Sequence, residues 1–101
     1  MKFGLKDDVV NNINAVFAEF PEVEEAVLYG SRAKGNYKPG SDIDLTLKGE
    51  GLDLRKLNAI ELKLEDLLLP YTFDLSAFHQ IDNPKLVEHI NRVGIAFYKK
   101  T

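Results

Sequence analysis

The sequence predicts an α/β (α+β) fold in which helices alternate with three or four short strands. Three observations predict it. Apolar residues recur at helical spacing in long stretches near the start and in the middle of the chain. Between them lie short stretches that alternate polar and apolar residues. Glycine or proline stands at nearly every junction. The chain has 101 residues, enough for one domain (1–101) and no more.

Each element follows in order. From Lys6 to Phe20, apolar residues fall at Val9, Val10, Ile13, Val16, Phe17 and Phe20, and Pro21 stops the helix. Val23–Tyr29 reads as a strand ended by Gly30. Ser31–Lys34 can begin a short helix. Ser41–Lys48 alternates and reads as a second strand. Asp53–Leu69 sets Leu57, Ile60, Leu64, Leu67 and Leu68 on one helical face, and Pro70 closes it. Tyr71–Phe78 alternates again as a third strand. Asn83 is an N-cap with Pro84 at the first helical position, and that helix runs to about Val93 before Gly94. Ile95–Tyr98 is a terminal strand or a packed tail. The helix between the second and third strands is long enough for a crossover, so those two strands can lie parallel. The irregular loop between the first and second leaves their pairing open.

Composition narrows the function. With 45% hydrophobic and 29% charged residues the chain is an ordinary soluble domain rather than a disordered one. It has no cysteine, which excludes disulfides, thiolate catalysis and cysteine zinc sites and suits a reducing cytoplasm. No apolar run reaches membrane-spanning length, and no signal peptide is visible at Met1–Lys6. A net charge of −3 argues against nucleic acid as the main partner. The small core leaves room for a stabilising homo- or hetero-oligomeric partner.

The segment YGSRAKGNYKPGSDIDL, residues 29 to 45, carries the unusual chemistry. It does not form a P-loop, because Asn36 and Tyr37 stand where lysine and a hydroxyl are needed. It does not form a dinucleotide loop either, because Arg32 takes the place of the middle glycine. Its physics still suits an anion. Gly30 lets a phosphate approach the backbone, Ser31 adds a donor, and Arg32, Lys34 and Lys38 bring positive charge with no acid among them. The plainer reading is a polar hairpin loop with solvated cations.

On the second strand Asp42, Asp44 and Thr46 share one face. The plainer reading is the solvated side of a half-buried strand. On the third, Thr72, Asp74 and Ser76 share a face, so neighbouring strands would set Asp74 beside Asp42 and Asp44. Such carboxylates repel one another unless a divalent cation joins them, and an all-oxygen set favours Mg²⁺ or Mn²⁺ over zinc. His79 and His89 carry no assigned role. Tyr29 and Tyr37 flank the turn as base-stacking candidates, with strand packing the stronger reading for Tyr29, and Glu61–Asp66 reads as a solvated helix face.

At Gly30-Ser31, Asp42-x-Asp44 and Asp74 the sequence resembles the polymerase β-like nucleotidyltransferase superfamily. More closely, GSRAKG, SDIDL and the ending HINRVGIAFY resemble the minimal nucleotidyltransferase (MNT) antitoxins paired with HEPN toxins. The resemblance implies a small mixed sheet flanked by helices. It also implies transfer of a nucleoside monophosphate, typically AMP from ATP, to a hydroxyl, with a tyrosine of the HEPN ribonuclease as acceptor. Carried over residue by residue, it implies Asp42 and Asp44 as ligands bridging metal ions and Asp74 as the ligand at the acceptor hydroxyl. Gly30, Ser31, Arg32 and Lys34 would contact the nucleotide phosphates. Two other functions stay open: an idle site that silences its toxin by occlusion, and transfer to RNA ends or a small molecule.

Overall fold

The computed structural model describes residues 1–101. In chain order the elements are α1 (Asp7–Ala18), β1 (Glu25–Tyr29), α2 (Gly30–Lys34), β2 (Ile43–Lys48), α3 (Leu54–Glu65), β3 (Phe73–Ala77), α4 (Pro84–Val93) and β4 (Ile95–Lys99). A 3₁₀ turn, Phe78–Gln80, follows β3. The strands form one mixed sheet in the order β3-β2-β1-β4. β2 and β3 run parallel, as a helical crossover through α3 requires. β1 is antiparallel to both β2 and β4, which settles the pairing left open by the loop and makes the C-terminal tail a true strand.

The alternation along each strand decides which layer it faces. Ala26 and Leu28 on β1 and Ile43, Leu45 and Leu47 on β2 are buried against Val10, Ile13, Val16 and Phe17 of α1 and Ile60 and Leu64 of α3. Each of these side chains larger than alanine contributes roughly 1.5–3 kcal/mol by leaving water. The opposite face carries a smaller cluster, Val27 and Tyr29 with Ile90 of α4, packed by Leu86 and Val93. α4 therefore covers part of the face that bears the polar positions of β2 and β3.

Caps set the helix boundaries. The Asp53 side chain accepts from the Lys56 amide, and the Asn83 side chain accepts from the amides of Lys85 and Leu86. The long stretch expected to stay helical to Leu69 ends sooner, at Glu65. Leu68 turns into the left-handed region at φ 55, so the chain leaves the helix axis before Pro70. The first three strands are likewise shorter than expected, with Val23, Glu24, Ser41, Asp42, Tyr71, Thr72 and Phe78 outside them, whereas β4 runs one residue further, to Lys99.

Candidate active site

The sheet register builds the site. Tyr29, Asp44 and Asp74 lie side by side across three strands, Tyr29 opposite Asp44 and Asp44 opposite Asp74. Beneath them Val27, Thr46 and Ser76 form the next row. Thr46 is fully buried, and the Ser76 hydroxyl donates to its Oγ1 at 2.9 Å. Thr46 is thus a tie between two strands rather than part of a solvated face.

Of the three expected carboxylates, Asp44 is half-buried while Asp42 and Asp74 are exposed. Asp42 lies one residue before β2. No three acidic or histidine side chains converge closely enough to form a ready-made metal cage. The expected patch is therefore a cross-strand pair, Asp44 and Asp74, with Asp42 at its margin. Its electrostatics show the strain of that arrangement. Burial pushes the Asp44 carboxyl above the ordinary carboxylate value of 3.8, and the charges of Asp74 and Asp42 push it further. His89 opposes this and favours the charged form. An all-oxygen donor set whose central carboxylate is penalised for its charge suits a hard divalent cation.

The glycine-rich turn meets this row directly. Gly30 has φ 74, and a Cβ there would collide with Asp44 Oδ2. Only glycine lets the backbone lie this close to the carboxylate. Gly35, at φ 86, caps the other end of α2, with its amide and that of Asn36 donating to the Ser31 carbonyl. Ser31 is half-buried at the start of α2 and Lys34 is exposed at its end.

Arg32, which the resemblance makes a phosphate contact, is buried, with 2% of its surface exposed. Its Nη1 donates to the Phe3 carbonyl at 2.8 Å, and its Nε and Nη2 donate to the Ser41 carbonyl. The guanidinium also lies against the rings of Tyr37 and Tyr71, at 5.3 and 5.0 Å from their centroids. It clamps the turn to the N-terminal segment and to the approach of β3. A buried guanidinium whose three nitrogens each donate to a carbonyl has little left for a phosphate.

Two residues given no site role in the sequence belong here. His89 Nε2 accepts the Gly30 amide at 3.3 Å, and its ring stands edge-on to Tyr29 with centroids 6.1 Å apart. The Gly30 amide is thus already engaged. Tyr29 packs in the strand as expected, but its phenol also faces the acids. Burial raises its pKa above 10.0, and Asp74 and Asp44 raise it further, so the hydroxyl stays protonated. The sequence held one signal for His89: its helical neighbours at i−3 and i+4 are Leu86 and Val93, on the face that packs the sheet.

Comparisons with known proteins identify the family and the fold. A family model described as polymerase beta, nucleotidyltransferase matches residues 11–101. A chain of a toxin–antitoxin complex with AMP-PNP superposes with a TM-score of 0.73 at 21% identity, over 91% of this chain and 74% of that one. A chain of an MntA–HepT toxin–antitoxin complex gives 0.69 at 18% identity, over 94% and 74%. A chain from the complex of tri-AMPylated Shewanella oneidensis HEPN toxin with MNT antitoxin gives 0.69 at 18% identity, over 95% and 74%. No curated protein matches the sequence. At these identities the structural likeness establishes the fold.

Proposed function

Because the chain belongs to the polymerase β nucleotidyltransferase family, we propose that it transfers a nucleoside monophosphate, AMP from ATP, to a hydroxyl. The acceptor we assign is a tyrosine of a HEPN-type toxin, which makes the protein an antitoxin acting as a protein adenylyltransferase in the cytoplasm. The observation that carries this reading is the register of Asp44 against Asp74, with the Gly30 backbone lying on the Asp44 carboxylate. The fold neighbours add support: one toxin–antitoxin complex holds AMP-PNP, and another contains an AMPylated HEPN toxin with its MNT antitoxin.

The chain's own residues divide the work. Ser31 presents its hydroxyl to the polyphosphate, Gly30 lets the turn lie against the Asp44 carboxylate, and Lys34 adds charge at the outer end of α2. His89 holds the Gly30 amide and so fixes the turn. Asp74, exposed on the edge strand, would receive the acceptor hydroxyl and favour loss of its proton. Asp44 and Asp74, joined by Asp42, are the residues that would hold Mg²⁺ or Mn²⁺. Bound there, the cation would offset phosphate charge at both the attacking and the leaving oxygen.

One observation favours a second reading, in which the protein silences its toxin by occlusion alone. The three carboxylates do not converge into a closed cage. Mass spectrometry of the co-incubated toxin separates the two. The expected result is one or more added AMP groups with wild type, Mg²⁺ and ATP, and none with Asp44→Asn. An Asp44→Asn protein that silences the toxin as well as wild type, at equal concentration, would sink the enzymatic account.

A further inference from the structure

We propose that the groove between the end of α3 and the start of β3 docks an extended segment of the acceptor protein, bearing apolar residues beside its hydroxyl and basic residues beyond them. The inference rests on the reading of Asp74 as the acceptor-side carboxylate and adds the surface that selects the acceptor.

The groove has a volume of about 490 Å³ and is lined by Leu64, Leu68, Leu69 and Phe73, with Glu61 and Glu65 on its rim. Leu68 is 89% exposed and sits at φ 55. The left-handed turn ends the helix, but glycine would serve it better and burial gives no reason for a leucine there. It is placed to meet another surface. The acids on the rim set the sign of that surface: an entering segment gains from lysine or arginine.

The sheet adds direction. β3 pairs only with β2, and its other edge has no strand partner. Unpaired amides and carbonyls along an edge are a template for one more strand. Side chains on such a strand would alternate between the two faces of the sheet. Asp74 and Ser76 mark one face and Phe73 and Leu75 the other. The groove lies on the Phe73 face. An acceptor hydroxyl placed on the Asp74 face therefore has its two immediate neighbours on the groove side, where Leu68 and Phe73 wait. Tyr71, at the mouth of the groove, stacks on Arg32, so the groove wall is tied to the turn that faces the nucleotide.

The test uses the full chain and the capped peptide Lys-Lys-Leu-Tyr-Leu-Lys-Lys, without nucleotide or metal. The expected result is saturable binding, with amide NMR shifts confined to β3 and to residues 65–73. The peptide Lys-Lys-Ser-Tyr-Ser-Lys-Lys should bind about tenfold more weakly, as loss of apolar burial requires. Leu68→Asp should weaken the first peptide by about the same factor while leaving the thermal shift caused by Mg²⁺ and ATP unchanged. Glu65→Lys, which takes the charge of the two acids from −2 to 0, should erase the preference for the first peptide over Glu-Glu-Leu-Tyr-Leu-Glu-Glu. Shifts that map elsewhere, or unchanged affinity in Leu68→Asp, would overturn the proposal. So would a concentration-dependent dimer in sedimentation that Leu68→Asp abolishes, because the face would then belong to a second copy of this chain. Failure of the transferase reading looks different: the peptide docks as expected but is never nucleotidylated. Conversely, transfer to the tyrosine with an unchanged KM in Leu68→Asp removes the docking site and leaves the transferase.

Discussion

Arg32 shows how far residue type alone can mislead. The sequence places it in a glycine-rich turn among other cations, where an exposed phosphate contact is the natural expectation. Its burial depends on partners far away in the chain, the carbonyl of Phe3 and the ring of Tyr71, and local sequence cannot announce them. Arg32→Ala should therefore destabilise the fold by about 3 kcal/mol, because it orphans carbonyls that accept from a charged donor. Chemical denaturation measures it, and a fall in ATP affinity with unchanged stability would restore the phosphate role. Asp44 makes the opposite kind of statement. Its folded pKa is raised, so its ionised form costs the native state stability. That cost is absent at low pH and appears as pH rises above the ordinary 3.8 and through the raised value. Asp44→Asn should consequently melt higher than wild type at neutral pH in metal-free buffer, and the gap should close as pH is lowered towards 4. A gap that does not change with pH would mean that repulsion among the acids is not its source.

At the scale of elements, the sequence was most legible where one strong local signal acts alone. The Asn83-Pro84 start of α4 was readable because a cap needs only its own next few residues. Ends without such signals were not. The apolar periodicity runs on to Leu69, yet α3 stops at Glu65, since Leu67 and Leu69 pack on the core from the turn rather than from the helix. Strand ends were overextended for a related reason. Alternation continues beyond the residues that have a ladder partner, and pairing is a non-local property. The parallel pairing of β2 and β3 was legible from crossover length, whereas the position of α4 over the carboxylate face was not. That position carries His89 to Gly30 and closes one side of the site. A helix's apolar stripe shows that it packs, not which face of the sheet it covers.

At the scale of the whole molecule, the fold brings together residues from four elements that the sequence keeps apart. β1 delivers Tyr29, the turn into α2 delivers Gly30 and Ser31, β2 delivers Asp44, and β3 delivers Asp74. All lie at the end of the sheet where β1 finishes and the parallel pair begins, so the carboxylates face the turn across a single row. This arrangement makes a thermodynamic demand on the proposed function. Asp44, Asp74 and Asp42 repel one another without a cation, and a polyphosphate brought beside them without one adds further negative charge. Each ligand removes the obstacle to the other, so their binding must be coupled. Melting curves with neither ligand, Mg²⁺ alone, ATP alone and both together measure that coupling. The shift with both should exceed the sum of the single shifts. A ligand at one hundred times its Kd adds roughly 2.7 kcal/mol, enough to move the midpoint of a domain of this size by several degrees. Asp44→Asn should lose the excess and keep whatever ATP alone provides. Strictly additive shifts in wild type would mean that metal and nucleotide occupy separate sites, and the carboxylate row would then have no part in holding the phosphates.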